Sequence, residues 1–244
     1  MAYTRIARWD HYDPQGTAWR IDLLQEGAAF DDSRYNLTGN MFTLTHEGDL
    51  IKEGRLEVEW LIENSTQYAI AEGLVGGLVD EYRFDLRKDG STYWKGFLQP
   101  GLIELTEGDY PRRVKLTAKD GVPFDQFFAR DTDKTVGNYD SLISLIAECL
   151  WGSNNIRTYT NWNHDDLSAG DWLNQTYVDR YVFRELNSDD PDGDRDITIR
   201  EVLENILFVT DTTLIQSDGE WHLMQRDYLD NATYTRCNYT SSGS

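Results

Sequence analysis

Apolar and polar residues alternate along several segments in the first half of this sequence, and the alternation limits the folds that the chain can adopt. In the clearest segment, apolar side chains occupy every second position from Leu56 to Ile62. Segments 19–23 and 114–118 repeat the pattern. Since successive side chains of a strand point to opposite faces of a sheet, a period of two predicts half-buried antiparallel strands.

Turn-forming residues separate these segments. Asp89-Gly90 is the most informative pair, because Asp-Gly suits a two-residue turn in which both residues need positive φ. It predicts a hairpin between Tyr82–Arg87 and Thr92–Leu98. Strands at this regular spacing indicate a barrel or a sandwich over residues 1–130.

After residue 140 the hydrophobic period lengthens to that of a helix. From Leu142 onwards, apolar residues fall at i, i+3, i+4, i+7 and i+8, which predicts a helix over Ser141–Trp151 with Asp140 or Ser141 as its cap. Cys149 lies on the apolar face of this helix, where a buried thiol is expected.

A second helix and a hairpin follow. Thr198 and Glu201 have the spacing of a capping box at the start of a helix that runs to Leu207. The hairpin joins Thr213–Gln216 to Glu220–Met224. The polar stretch between the two helices, 158–196, is compatible with an ordered excursion or with a small insertion.

The predicted fold class is therefore α+β. We expect an antiparallel β-barrel domain over residues 1–130, an α+β domain with two helices and a hairpin over 131–230, and a C-terminal tail over 231–244.

Acidic residues outnumber basic ones, with 43 Asp and Glu against 23 Lys and Arg and a net charge of -20. Such a charge repels phosphate backbones, and adjacent basic residues occur only at Arg87-Lys88 and Arg112-Arg113, so we expect no specific nucleic-acid partner. The excess of Asp over Glu and of Arg over Lys fits a protein that works in high salt, and equally an acidic protein from a GC-rich genome.

The hydropathy pattern predicts neither a membrane protein nor a secreted one. No stretch approaches the ~20 apolar residues of a membrane-spanning helix. The N-terminal residues run into charged positions without the apolar core of a secretory signal.

Four alternating carboxylates form the candidate metal site: Asp190, Asp192, Asp194 and Asp196. Ca²⁺ takes several oxygen ligands, and acidic residues spaced by two in a glycine-containing loop can supply them. The order is not that of an EF-hand, since Gly193 is misplaced and no Glu closes the loop. The alternative is a solvated acidic loop, and no other cofactor is predicted.

No catalytic residues are predicted. Glu57 and Glu59 lie on one face of a strand beside Trp60, where paired carboxylates could cleave a glycosidic bond, but strand alternation already explains them as solvent-facing residues. The sequence contains no nucleophile elbow, and its glycine-rich stretch 73–77 lacks the Lys-Ser/Thr of a phosphate-binding loop. We therefore expect a protein that is not an enzyme.

The most specific string of the chain runs from Asp89 to Gly121. It contains a strand with Trp94-x-Gly96-Phe-Leu, a short crossing, and then a strand with Val-x-Leu-x-Ala-x-Asp120-Gly. This string resembles tail-hub proteins of tailed bacterial or archaeal viruses, and the order of the other elements from residue 5 to 228 is similar too. In that family the string belongs to a β-barrel of the baseplate hub, which is related in fold to the type VI secretion spike hub.

The resemblance implies a structural virion protein without catalytic residues. Such a protein forms a ring, expected here to be a homotrimer, at the hub of the tail tip or baseplate, and it joins the tail tube to the tip. The implied partners are a distal tail or tail-tube protein, the tape-measure protein, and tip or fibre proteins. The protein would be assembled in the host cytoplasm and located in the virion.

The abundance of aromatic residues leaves an alternative open. A β-sandwich binding module of the tail could stack exposed aromatic side chains, such as Trp162 or Trp172, on sugars or a receptor of the host surface.

Overall fold

The chain folds into two compact units in the computed structural model. Unit 1 comprises Met1–Gly48, Glu53–Gly121 and Gln216–Gly219, and unit 2 comprises Asp49–Lys52, Val122–Ile215 and Glu220–Ser244. The structure describes residues 3–31, 33–78, 81–120, 128, 139–150, 155–160, 172–179, 185–186, 194–195, 197–226 and 235–240.

Unit 1 is built around an antiparallel sheet. Its strands are β1 (Tyr3–Tyr12), β2 (Ala18–Glu26), β3 (Asn36–Glu47), β4 (Ile51–Ile62, which enters this unit at residue 53), β5 (Tyr82–Lys88), β6 (Ser91–Leu98), β7 (Glu104–Leu105) and β8 (Arg112–Asp120). They are ordered β1-β2-β5-β6-β8-β4-β3, and β7 pairs with β8. The predicted hairpin is confirmed, since Asp89 and Gly90 join β5 to β6 with φ angles of 48° and 84°.

The α+β class is confirmed, but the predicted β-barrel is not. A barrel requires a ladder between the first and last strands of the sheet, which are β1 and β3 in unit 1. In the described residues, β1 is linked to the segment before β3 by one bridge between Arg8 and Arg34 and by hydrogen bonds of 2.9 Å from Tyr35 N to Arg8 O and from Asp31 N to Arg5 O. The described pairing therefore leaves the sheet of unit 1 open. Strand alternation predicts the buried face of each strand but does not predict whether the sheet closes.

Unit 1 also contains a helix that the alternation does not predict. Helix α1 (Ser65–Val75) connects β4 to β5 and begins at Asn64, whose side chain accepts a hydrogen bond of 3.0 Å from Gln67 N. Its apolar residues are spread around the helix and only Ala71 and Leu74 are buried, so the sequence carries no clear helical face. The glycine-rich stretch at 73–77 is the end of this helix.

The core of unit 1 is rich in tryptophan. Trp9 on β1 packs edge-on against Trp60 on β4 with ring centroids 5.6 Å apart, and Phe84 on β5 stacks on Trp9 at 6.1 Å. Aromatic pairs at these distances contribute about 0.5–1.5 kcal/mol beyond the area they bury. The core-facing side chains of β2, β4, β5, β6 and β8 follow the period of two that the sequence predicts.

Unit 2 combines helices with mixed sheets. Its elements are β9 (Tyr139–Ser141), α2 (Leu142–Cys149), β10 (Ile156–Thr160), α3 (Trp172–Gln175), β11 (Tyr177–Asp179), β12 (Glu185–Leu186), β13 (Asp194–Arg195), α4 (Ile199–Val209), β14 (Thr212–Ser217), β15 (Glu220–Gln225) and β16 (Thr235–Tyr239). The main sheet is ordered β14-β15-β10-β16, with β10 parallel to β15 and antiparallel to β16. Residues Ile51 and Lys52 pair in parallel with β14.

Both predicted helices of this unit are confirmed. Ser141 is the cap of α2, and its hydroxyl accepts a hydrogen bond of 3.3 Å from Ser144 N. At the start of α4, Thr198 accepts from Glu201 N while Glu201 accepts from Thr198 N, which completes the capping box. The apolar faces of both helices are buried in the core of unit 2, together with the thiol of Cys149.

The predicted boundaries at 130 and 230 remain predictions. Residues Thr235–Tyr239, within the segment expected to be a tail, form β16 on the sheet of unit 2. The predicted hairpin between β14 and β15 is confirmed, with Asp218 and Gly219 at positive φ in its turn. None of the helices that the structure describes has the length and apolarity to cross a membrane.

Candidate interaction surface

The residues that carry the sequence resemblance form a buried cluster in unit 1. Trp94 on β6 is fully buried, and its Nε1 donates a hydrogen bond of 2.5 Å to Oδ1 of Asp120 at the end of β8. The other carboxyl oxygen of Asp120 accepts a hydrogen bond of 2.5 Å from the backbone N of Gly54 on β4. One carboxyl group therefore ties together three strands, and the motif has a structural role.

Two glycines make room for this cluster. A Cβ at Gly54 would overlap the indole Nε1 of Trp94 and a carboxyl oxygen of Asp120. A Cβ at Gly96 would overlap the six-membered ring of Trp94 and the backbone oxygen of Lys119. The Trp-x-Gly spacing of the motif is thus explained by the close approach of the Trp94 ring to its own strand.

Burial raises the pKa of Asp120 to about 7. The hydrogen bonds from Gly54 and Trp94 stabilise the charged form and oppose this effect, but they are weaker than the cost of removing the carboxylate from water. Asp120 consequently titrates near neutral pH inside the sheet.

The charged surface of unit 1 lies on the other side of the β1-β2-β5-β6 sheet. Side chains that alternate with the core positions of these strands point away from the core. We call this surface, with the neighbouring Arg34, the arginine face. Its charged members are Arg5, Arg8, Asp10, Arg20, Asp22, Glu26, Arg34, Arg83, Asp85, Arg87 and Lys95.

Asp22 is the centre of the arginine face. Its Oδ1 lies 2.9 Å from Arg8 Nε and 3.8 Å from Arg5 Nη1, and its Oδ2 lies 3.5 Å from Arg87 Nε. Three guanidinium groups from two strands therefore surround one buried carboxylate. The Nε of Arg87 makes no hydrogen bond within the described residues, although it forms this ion pair.

A second buried carboxylate, Asp85, lies on the adjacent strand. Arg83 donates to its two oxygens from Nε at 2.8 Å and from Nη2 at 3.2 Å. Lys95 lies opposite Asp85 on β6. Burial lowers the pKa of Lys95, and the charge of Asp85 opposes that shift.

Aromatic rings flank the charged side chains at one end of the face. The guanidinium of Arg83 lies 4.7 Å from the ring centroid of Tyr3, and this ring lies 6.0 Å from that of Phe97. Tyr and Arg side chains packed in this way are the groups that most often dominate protein–protein binding energy. The arginine face is therefore a candidate interaction surface.

This surface is not predictable from local sequence patterns, because its members come from strands up to 90 residues apart in the chain. Pairs of adjacent basic residues do not indicate a basic surface on a sheet, since consecutive residues of a strand point to opposite faces. The useful pattern is a period of two, in Arg20-Ile-Asp22 and in Arg83-Phe-Asp85-Leu-Arg87.

The candidate metal ligands Asp190, Asp192 and Asp196 lie outside the described residues. Asp194 belongs to the short strand β13, where it pairs with Leu186, and its side chain is not described. In the part of the chain that the structure describes, no three His, Cys, Asp or Glu side chains form a metal-binding group. The Ca²⁺ site stays a prediction.

Glu57 and Glu59 lie where strand alternation places them, away from the core. Glu57 forms ion pairs with Arg55 at 2.7 Å and with Lys115 at 3.1 Å, and Glu59 is exposed. The contacts of Glu57 are those of a charged residue on the surface of a sheet.

The structure does not describe the side chains of the two tryptophans proposed for sugar stacking. Trp162 lies outside the described residues, and Trp172 begins α3 with a side chain that is not described. Two other aromatic residues share one face of the β9–β11 pair in unit 2. Tyr139 is 59% exposed and Tyr177 is 63% exposed.

An apolar groove of about 550 Å³ lies between α1 and the loop after β2 in unit 1. Ile6, Phe30, Ile70 and Leu74 contribute to its wall. Arg5 lies over the ring of Phe30 at 4.7 Å and so adjoins both this groove and the arginine face.

Among known proteins, this chain is similar only to solved structures. No protein-family model matches the chain, and no curated protein matches it. The tail protein from Neisseria meningitidis MC58 is similar with a TM-score of 0.43 and 11% identity, over 84% of this chain and 50% of that chain. The 43 kDa tail protein of prophage MuSo2 from Shewanella oneidensis is similar with a TM-score of 0.39 and 10% identity, over 83% of this chain and 53% of that chain.

Both solved proteins are tail proteins, which is the class of protein that the sequence resemblance indicates. This chain spans about half the length of either solved protein. Both TM-scores lie below 0.5, so the likeness carries no information about individual residues or about assembly.

Proposed function

We propose that this chain is a structural virion protein that forms the hub of a viral tail tip or baseplate. The observation that carries the proposal is the buried Trp94–Asp120 cluster. It is made of the residues by which segment 89–121 resembles tail hubs, and it joins strands β4, β6 and β8 of one sheet. The resemblance thus includes residues that interact in the fold.

The proposed assembly is a homotrimeric ring that joins the tail tube to the tip. A closed ring is held by heterologous contacts that repeat around a symmetry axis. Tyr and Arg are favoured in such contacts over Lys, and the chain contains 14 Tyr and 17 Arg against 6 Lys. With a net charge of -20, a ring lined by carboxylates would let DNA pass without phosphate contacts.

The proposed partners follow from this position in the virion. They are a distal tail or tail-tube protein on one side, tip or fibre proteins on the other, and the tape-measure protein at the ring. The role is structural and not enzymatic.

The test is the mass of the purified chain in solution, measured by light scattering from low to high salt. We expect a defined trimer that salt strengthens, because salt screens the repulsion between copies of charge -20. Binding to a tail-tube or tape-measure protein of the same virus, measured by sedimentation, should accompany it. A monomer at every salt concentration without affinity for those proteins would contradict the proposal.

One observation favours a second candidate, a carbohydrate-binding module of the tail. Tyr139 and Tyr177 offer two exposed rings on one face, as stacking on sugars requires. Glycan binding that is lost in Tyr139→Ala or Tyr177→Ala and kept in Tyr12→Ala would support it. Tyr12 is a suitable control because it is at least as exposed, at 70%, but lies in unit 1. Absence of binding to every glycan tested would exclude this candidate.

A further inference from the structure

Charge is distributed unevenly along this acidic chain. Residues 122–244 contain 22 Asp and Glu against 9 Lys and Arg. The arginine face of unit 1 has the opposite balance, with seven basic side chains and four carboxylates. A cationic surface on a protein of net charge -20 has an abundant complementary surface in every other copy of the same chain.

We propose that the arginine face binds an acidic surface of a second copy of this chain. This inference rests on the proposed ring, and it assigns the surface through which neighbouring copies make contact. We expect the carboxylates of the neighbour to come from residues 122–244, where the sequence concentrates them.

The charge pattern also fixes the type of contact. Two arginine faces repel each other, because each carries seven basic side chains against four carboxylates. The face must therefore contact a different surface of the neighbour, which makes the contact heterologous. Repeated heterologous contacts close into rings when the rotation permits, whereas a two-fold dimer requires a self-complementary surface.

Ion pairs within the arginine face hold several of its side chains in place before a partner binds. Asp22 and Asp85 hold Arg8, Arg83 and Arg87 in place, so less side-chain freedom is lost on binding. The more exposed side chains, Arg34 at 68%, Arg20 at 40% and Arg87 at 36%, remain accessible to carboxylates of a neighbour. Tyr3 and Phe97 supply aromatic surface beside them.

Salt acts on this contact in two ways. It weakens the long-range repulsion between copies of charge -20, but it screens partly buried ion pairs at the interface much less. The salt-strengthened trimer that we expect is therefore compatible with an interface made of ion pairs.

The test compares two charge reversals that alter the net charge equally. Arg20→Glu changes the arginine face, and Arg113→Glu changes an exposed position on β8, outside it. Light scattering over a concentration series at fixed salt gives the dissociation constant of the oligomer. We expect Arg20→Glu to raise it about tenfold or more, Arg113→Glu to change it by less than about threefold, and Arg20→Lys to stay near wild type.

Two further measurements distinguish loss of the contact from loss of folding. Circular dichroism and urea unfolding show whether Arg20→Glu still folds, and Arg87→Gln provides a milder change on the same face. A wild-type oligomer that Arg20→Glu and Arg87→Gln leave intact would overturn this proposal alone. A monomeric wild type would overturn the ring and this proposal together.

A polyanion is the competing occupant of the face. Heparin and a 20-base-pair DNA duplex are suitable probes, measured by fluorescence anisotropy. Binding of either probe that Arg20→Glu abolishes, with the oligomer unchanged, would replace the second copy by a nucleic acid or another polyanion. We expect no binding by either probe at physiological salt.

Discussion

Asp22 on β2 lies directly opposite Asp85 on β5, and the two residues are only 5% and 4% exposed, on the side of the sheet away from the core. Like charges at directly opposite positions destabilise a sheet. The surrounding guanidinium groups of Arg8, Arg83 and Arg87 offset this repulsion. The pair therefore makes the stability of unit 1 depend on a charge network outside the apolar core.

We predict that Asp22→Asn destabilises the fold. The change leaves Arg8, which is itself buried, without a charged partner at 2.9 Å, and removing one member of a buried pair costs about 3–5 kcal/mol. Relief of the repulsion from Asp85 reduces this cost. Asp10→Asn, at the more exposed pair with Arg20, is the matched control and should cost less than about 1 kcal/mol. Urea unfolding of both variants and of wild type measures the difference. Equal stability of Asp22→Asn and wild type would contradict the prediction and show that relief of the repulsion from Asp85 fully offsets the loss of the ion pairs.

A second prediction concerns Asp120 and pH. Its pKa in the folded protein, about 7, lies above the ordinary value of 3.8, so between these pH values the folded state binds a proton more tightly than the unfolded state. The resulting stabilisation is fully present below about pH 4 and is lost as the pH rises through 7. Within this window the group lowers the free energy of unfolding by up to about 1.4 kcal/mol per pH unit.

The measurement is urea unfolding of wild type and Asp120→Asn from pH 5 to 8. The Asn variant keeps the shape of the side chain but cannot titrate, so the other carboxylates contribute equally to both proteins. We expect the stability of wild type relative to the variant to fall as the pH rises. A constant difference across this range would show that Asp120 keeps an ordinary pKa.

A third prediction concerns the close approach of Gly96 to the Trp94 ring. Gly96→Ala introduces a methyl group where the indole and the Lys119 carbonyl lie, so the ring must move from its hydrogen bond with Asp120. Overpacking of this kind typically costs about 1–3 kcal/mol. Gly101→Ala is the control, because a Cβ there meets nothing within 4 Å, and we expect it to change stability by less than about 0.5 kcal/mol. Thermal unfolding followed by tryptophan fluorescence tests both. A Gly96→Ala protein as stable as the control would show that the ring can shift without loss.

Local structure was predictable at positions where the backbone conformation requires a particular residue type. Asp89-Gly90 predicts its hairpin because both residues must take positive φ, and Thr198 with Glu201 predicts the start of α4 because the two side chains satisfy backbone groups. Helix α1 was not predictable in this way, since its apolar residues define no clear face.

Features that depend on the pairing of distant strands were not predictable. The arginine face combines β1 with β6, which are separated by most of unit 1 in sequence, and no local pattern tells which strands are neighbours. Whether the sheet closes into a barrel was not predictable for the same reason. The bulge between Leu37 and Phe42 in β3 alters the register at the strand that would close a barrel, and alternation does not predict it.

The last prediction tests the contribution of the capping box to unit 2. Thr198→Ala removes the hydroxyl that accepts from Glu201 N at 3.2 Å and leaves that N–H without its partner at the start of α4. Loss of such a cap costs about 0.5–2 kcal/mol, and α4 supplies Val202, Leu203 and Leu207 to the core of unit 2. Thr198→Ser keeps the hydroxyl and should retain most of the stability. Amide hydrogen exchange at Glu201, together with urea unfolding, distinguishes a local effect from a global one. If exchange accelerates at Glu201 alone, the cap orders only the first turn; if both measurements change together, the cap stabilises the core into which the helix packs.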